Sequence, residues 1–257
     1  MLKFEGTGWG DAGTVVLLHA FPVSAAMWEP QQLFLDAAGY GVIAPNAYGF
    51  DGSPARPGWS MDDYAHDLAE LLDKLGCRKA TIVGLSMGGY QAFAFWRLYP
   101  GRTASIVLCD TRAVGDTPKI FAQRMEFRKA VEEKGAAVAA DRMLPNYFDR
   151  ENSRLRPQLA SKARLIIERQ PADAISEAMR AIAERPDSTE LLSGITCPVL
   201  IMNGAGDVVT TPETAASMHA AIPGSLLELL PGAGHLSNIE QPDLFNLLLL
   251  RHLNSLK

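Results

Sequence analysis

The stretch KATIVGLSMGG, residues 79–89, decides the architecture. Lys79 to Gly84 reads as a short apolar strand, and the pattern from about Met87 to Tyr99 reads as a helix that stops at Pro100. Between them, Gly84-Leu85-Ser86-Met87-Gly88 matches G-x-S-x-G and is followed by Gly89. With a strand before it and a helix after it, this motif places a serine on a sharp turn, its hydroxyl projecting from the end of a sheet. The residues two before and two after the serine approach the backbone closely, so both are glycines. The helix that follows points its partly positive amino end at the site.

Outward from this turn, short apolar runs alternate with helical patterns. Thr14 to His19, Gly41 to Ala44, Ser105 to Asp110, Pro198 to Gly204 and Ser225 to Leu230 read as strands. Several are continuously apolar, as strands covered on both faces are. MDDYAHDLAELLDKLG carries Tyr64, Leu68, Leu71, Leu72 and Leu75 at helical spacing. Ser60 or an early Asp can cap its start and Gly76 can end it. A last amphipathic helix begins at about Asp243. The alternation predicts an α/β fold, a mostly parallel central sheet with helices on both faces. The rhythm breaks from about Ala113 to Glu190, where helical patterns such as KIFAQRMEFRKAVEEKG and ADAISEAMRAIAER follow one another without a strand. The expected division is therefore a core of residues 1–112 and 191–257, with an all-helical cap insertion, 113–190, over the carboxyl ends of the strands, where open sheets bind ligands.

Composition narrows the function. Of 257 residues, 47 % are hydrophobic and 21 % charged, enough for a sizeable core. A formal net charge of −5 with no basic run argues against nucleic acid or an anionic membrane as partner. The longest apolar stretch near the carboxyl end, LFNLLLL, is too short to span a bilayer, and the first residues lack the pattern of a signal peptide. Cys77, Cys109 and Cys197 have neither metal nor redox spacing and fit a reducing compartment, so a cytoplasmic location is expected. No metal cluster or phosphate loop is apparent, and neither metal nor cofactor is expected.

Two further residues carry chemistry. Asp207 follows PVLIMNGAG and His235 follows LLELLPGAG, each in a glycine-rich loop at the end of a strand. Imidazole takes a hydroxyl proton near neutral pH and returns it to a leaving group, and a carboxylate fixes its tautomer. Asp110, at the end of SIVLCD, is a rival acid. Asp207 is favoured, which leaves Asp110 to hold the start of the insertion with Arg112 nearby. His66, His219 and His252 are expected to be bystanders, His66 on or near the solvent face of its helix.

HAFP after VVLL, GLSMGG after TIV, NGAGD after PVLIM and PGAGH after LLELL together resemble the α/β-hydrolase superfamily. The tail GAGHLSNIEQPDLFN is most similar to its carboxylesterase and 3-oxoadipate enol-lactonase-like branch. The resemblance covers nearly the whole chain outside the insertion. It implies the order Ser86 nucleophile, Asp207 acid, His235 base, and backbone N–H groups of Phe21 and Met87 as the oxyanion hole. The chain departs from many relatives in carrying Ala20 where they have glycine. His19 matches a histidine that props this loop.

The implied reaction is acyl transfer from a small, largely apolar ester or lactone to Ser86, then deacylation by water. A serine at the turn argues against dehalogenase or epoxide hydrolase chemistry. A C–C bond hydrolase, a cofactor-free perhydrolase and a near-silent ligand receptor remain alternatives. Phe21 and Trp28, with Met125, Met143, Tyr147 and Phe148 from the insertion, are candidate pocket walls.

Overall fold

The computed structural model describes residues 1–10 and 12–256. Seven strands form one sheet in the order β1-β3-β2-β4-β5-β6-β7. They are β1 (Phe4–Glu5), β2 (Thr14–Leu18), β3 (Gly41–Pro45), β4 (Ala80–Leu85), β5 (Thr103–Cys109), β6 (Val199–Gly204) and β7 (Leu226–Leu230). All pairings are parallel except that of β1 with β3. β2, β3, β4 and β6 are buried along their whole length, which is why their sequences are apolar without alternation. Each fully buried Val, Ile or Leu there contributes about 1.5–3 kcal/mol over its exposed state.

The helices outside the insertion are α1 (Glu29–Ala37), α2 (Met61–Lys74), α3 (Met87–Leu98), and, further along the chain, α9 (Pro212–Ala221), α10 (Ser237–Glu240) and α11 (Pro242–Asn254). α1 packs on α11, and α2 on α3. The α2 helix starts at a capping box. The Ser60 hydroxyl accepts from the Asp63 N–H, and the Asp63 carboxylate accepts from the Ser60 N–H. Gly76, at φ 67°, follows its end.

Strand order reverses between β2 and β4, which pair with Leu18 opposite Gly84. At such a reversal the loops leaving the two strands diverge and open a crevice at the carboxyl edge. The loops that leave here are those of His19–Phe21 and Ser86.

Between β5 and β6 lie α4 (Pro118–Lys134), α5 (Ala136–Met143), α6 (Arg150–Leu155), α7 (Pro157–Glu168) and α8 (Ala172–Ala183), with no strand among the described residues. The two ends of this helical segment are tied together. Ser188 N–H donates to the Ala113 carbonyl at 2.9 Å, Gly115 N–H to the Asp187 carboxylate at 2.8 Å, and Arg185 pairs with buried Asp116 at 2.9 Å. Asp116 also pairs with Arg124. These residues hold the start of the insertion, a role expected of Asp110. The two-residue β1 and the helices α1, α9 and α10 are additions to the elements expected from the sequence. Among the described residues no helix is long and apolar enough to cross a membrane.

Candidate active site

Ser86 stands where β4 ends and α3 begins. Its φ of 55° and ψ of −110° cost a non-glycine residue about 1–3 kcal/mol, and its neighbours hold it there. Ser86 N–H donates to the Cys109 carbonyl at 2.9 Å, and the Ser86 carbonyl accepts from the Gly89 N–H at 2.9 Å and from the Thr111 hydroxyl at 2.8 Å. A Cβ at Gly88 would sit 2.1 Å from the Leu18 carbonyl oxygen, so α3 starts this close to β2 only with glycine there.

The loops after β6 and β7 run against each other, and a Cβ at Gly204 would lie 2.1 Å from the Gly234 carbonyl oxygen. This contact brings Asp207 and His235 together beside Ser86. His235 Nδ1 lies 2.8 Å from Asp207 Oδ2, and His235 Nε2 lies 2.9 Å from Ser86 Oγ. An ionised carboxylate only accepts, so Nδ1 carries the proton and the Nε2 lone pair faces the serine hydroxyl. Asp207 also accepts from the N–H groups of Val209 and Thr210, at 2.7 and 3.1 Å, and from the Thr210 hydroxyl at 2.6 Å. Burial pushes its carboxyl up, but the facing His235 and these hydrogen bonds outweigh that and hold it below the ordinary carboxylate range.

Asp110 takes a different place from the one expected. It is buried beneath the site, accepting from the Gly204 N–H at 2.7 Å and hydrogen-bonded to the Ser237 hydroxyl. It thus joins the end of β6 to the segment after His235. Arg112, expected nearby, forms neither a hydrogen bond nor an ion pair with it among the described residues, and Asp110 itself has a positive φ of 45°. Burial and the nearby charge of Asp207 push the Asp110 carboxyl well above the usual range.

His19 fixes the loop after β2. Its Nε2 accepts from the Ala47 N–H at 2.9 Å, leaving Nδ1–H to donate to the Ala20 carbonyl at 2.8 Å. That carbonyl belongs to the same peptide unit as the Phe21 N–H. Burial lowers the His19 pKa to about 4, so the imidazole is neutral at neutral pH. The Met87 N–H stands at the first position of α3, where no intrahelical acceptor exists.

The helical segment reaches into this arrangement. Tyr147 is fully buried, its ring centroid 5.1 Å from that of His235. Its hydroxyl donates to the Phe21 carbonyl at 2.5 Å, and its own carbonyl accepts from the Leu236 N–H at 3.1 Å. Buried Glu240 makes a second junction. Its carboxylate accepts from the Gly234 N–H at 2.5 Å, the Asp149 N–H at 3.0 Å and the Asn152 amide at 2.6 Å. Glu240 lies within the tail GAGHLSNIEQPDLFN, but nothing in that string points to this role.

Of the other candidate walls, Phe21 packs edge-on against Phe127 of α4, with ring centroids 5.9 Å apart. Nothing in the sequence pattern singles out Phe127 for that place. Phe148 is buried, and its carbonyl carbon lies beside Gly234. Met125 and Met143 are half-buried. Trp28 is instead a core residue. It is fully buried against Phe245, ring centroids 5.9 Å apart, because α1 packs on α11 away from the strand ends. His66 and His219 are exposed on their helices, whereas His252 is buried against the Ser105 hydroxyl at 3.2 Å. Among the described residues no three of His, Cys, Asp and Glu converge as a metal site.

Known proteins carry the same arrangement of chain. A 3-oxoadipate enol-lactonase of Acinetobacter baylyi is 31 % identical over 248 residues, covering 95 % of this chain and 90 % of its own. The solved structure of a thermophilic esterase from Thermogutta terrifontis superposes with a TM-score of 0.95 at 38 % identity, covering 99 % of this chain and 93 % of that one. The enol-lactonase from Burkholderia xenovorans LB400 superposes with a TM-score of 0.90 at 25 % identity, covering 98 % and 96 %. Residues 13–242 match the family model of the alpha/beta hydrolase fold, and the chain belongs to that family.

Proposed function

We propose that the protein is a serine hydrolase that cleaves a small carboxylic ester or lactone, with Ser86 as nucleophile, His235 as base and Asp207 as the acid that orients it. The observation that carries this reading is the continuous line from Asp207 Oδ2 through the imidazole to Ser86 Oγ, at 2.8 and 2.9 Å. His235 Nε2 takes the hydroxyl proton as Oγ attacks the substrate carbonyl carbon. The Asp207 carboxylate stabilises the imidazolium that forms. The N–H groups of Phe21 and Met87 receive the oxyanion, each donor being worth about 3–4 kcal/mol in a measured protease. His19 donates to the far end of the Ala20–Phe21 peptide and so favours a polarised N–H at Phe21.

Collapse of the intermediate breaks the bond to the alkoxy oxygen, which leaves with the proton from His235. Water, deprotonated by the same imidazole, then attacks the acyl-enzyme and releases the carboxylic acid. In a lactone the two product groups stay on one molecule. The similarity to esterases and enol-lactonases supports this reaction class. We assign residues 113–190 the role of a cap that encloses the acyl group over the strand ends.

A fluorophosphonate probe read by intact mass tests the reading, together with turnover of a short p-nitrophenyl ester. Wild type is expected to gain one adduct and to turn over steadily. Ser86→Ala is expected to stay folded, gain none and lose several orders of magnitude in turnover. Labelling at another residue, or near-normal turnover by Ser86→Ala, would overturn the assignment.

A further inference from the structure

We propose that the cleft between the two ends of the helical insertion and α9 binds an amphiphilic monocarboxylate, its head on the guanidinium of Arg112. The cleft has a volume of about 320 Å³, at the small end of the range of small-molecule sites. Ala113 and Val114 line it from the start of the insertion, Leu192 from just beyond its end, and Met218 and Ala221 from α9. The walls are thus largely apolar, and the Ser217 hydroxyl beside them is already committed to the Glu213 carbonyl at 2.8 Å.

Arg112 is the anomaly that points to a ligand. Its Nε is buried without a hydrogen-bond partner. Among the described residues it is the one arginine short of full exposure whose side chain has neither a hydrogen bond nor an ion pair. The other half-buried or buried arginines are all engaged, as Arg124 and Arg185 are on Asp116 and Arg128 and Arg180 are on Glu177. A guanidinium is always charged and presents its donors as a planar fork that fits two carboxylate oxygens. A carboxylate head would accept end-on from the two Nη groups of this unengaged guanidinium, while a short alkyl or aryl tail covers the apolar wall.

A single cation among apolar residues suits one negative charge. A phosphate dianion would bring a second charge into the cleft without a partner, and that is unfavourable. The cleft shares no residue with the Ser86 site, yet it adjoins it through the chain. Thr111, the residue before Arg112, donates to the Ser86 carbonyl, and α9 begins two residues after Thr210, which donates to Asp207. Under the function proposed above, deacylation releases the same chemical class. The binding itself requires no catalysis.

Calorimetric titration of the full chain with octanoate, and with octanol as the uncharged control, tests the site. Octanoate is expected to bind wild type at least about tenfold more tightly than octanol, as a charge-assisted fork requires. Arg112→Gln is expected to weaken octanoate by about tenfold or more and to leave octanol unchanged. Arg112→Lys should recover only part of the loss, because an ammonium lacks the fork. Ala221→Trp, which fills the opposite wall, is expected to remove binding of both, and it carries the test should Arg112→Gln fail to fold. Protein phosphonylated at Ser86 is expected to bind octanoate as wild type does. The proposal is overturned if wild type shows no binding up to about 10 mM octanoate, the weak end of specific association. It is equally overturned if Arg112→Gln and Ala221→Trp keep the wild-type affinity, or if phosphonylation alone abolishes binding.

Discussion

The ring of Tyr147 lies tilted by 43° against the imidazole of His235, centroids 5.1 Å apart, while its hydroxyl donates to the Phe21 carbonyl at 2.5 Å. One side chain from the helical insertion therefore touches both the proposed base and the loop proposed to hold the oxyanion. Phe21 and His235 come from opposite flanks of the sheet, on loops after β2 and β7. A second tie lies just beyond the two residues, where Asn238, three residues after His235, donates to the Met27 carbonyl at 3.0 Å.

Tyr147→Phe should accordingly lower kcat and leave KM within about twofold. Removing the hydroxyl leaves a buried carbonyl without a donor, a loss of about 1–3 kcal/mol, or 5- to 150-fold if it falls on the transition state. Phosphonate labelling should slow by a comparable factor, since that probe also needs the oxyanion donors. A variant with unchanged kcat and a lowered melting temperature would reduce Tyr147 to packing alone.

The two buried aspartates should respond oppositely to amide substitution. Asp207→Asn removes the charge facing His235 and favours the wrong tautomer, so turnover should fall on the order of 10⁴-fold. Asp110 is held toward its neutral form by burial and by Asp207, and an amide imitates a neutral acid. In Asp110→Asn the amide oxygen can still accept from the Gly204 N–H, and the amide nitrogen can donate to the Ser237 hydroxyl. That variant should therefore keep turnover within about tenfold, the cost of at most one imperfect hydrogen bond. Steady-state kinetics on the two variants decide this, and the reverse ranking would move the acid to Asp110.

Much of this is legible in the sequence because the chemistry leaves local marks. A serine at positive φ needs glycine two residues after it, and loops that touch need glycines at Gly204 and Gly234. The motifs around Ser86, Asp207 and His235 therefore appear as short strings. The partners of those residues leave no such mark. Tyr147 and Glu240 act across 126 and 6 residues of sequence, and a lone Tyr or Glu in a helical stretch has many uses. Trp28 stands away from the expected wall because an aromatic after HAFP can turn either to the strand ends or into the α1–α11 layer, and the helix packing decides which. The place of Asp110 is hidden for the same reason. Its partner Ser237 lies 127 residues away.

His19 gives a pH test of stability. Its folded pKa of about 4 lies below the unfolded value near 6.5, because burial disfavours the charged ring. As pH falls below 6.5 the unfolded chain gains a proton that the folded chain refuses until about pH 4, so stability drops across that window. Between pH 7 and pH 5 the loss from this residue is about 2 kcal/mol. Urea unfolding at the two pH values should show a drop that is smaller by this amount in His19→Gln, whose side chain does not titrate. Equal pH dependence in both proteins would show that His19 is not buried and neutral as described.

Phe127 is the residue best placed to set acyl preference. It belongs to α4 of the insertion, and its ring meets that of Phe21 edge-on at 5.9 Å, so it borders the loop that would hold the substrate oxygen without supplying a donor. A polar or charged reacting group gains nothing from it, whereas an apolar acyl chain beside Phe21 meets its ring. Phe127→Leu keeps the site apolar but changes its shape, and it costs less stability than truncation to alanine. The ratio of kcat/KM for a four-carbon against an eight-carbon acyl ester should shift by about tenfold, since one methylene in such a pocket is worth about 1–3 kcal/mol of discrimination. Labelling of Ser86 by a small phosphonate should stay within about twofold, because that probe depends on the base and oxyanion donors alone. A uniform fall in kcat/KM across chain lengths with slowed labelling would instead make Phe127 a support for the Phe21 loop, and the acyl pocket would lie elsewhere along the insertion.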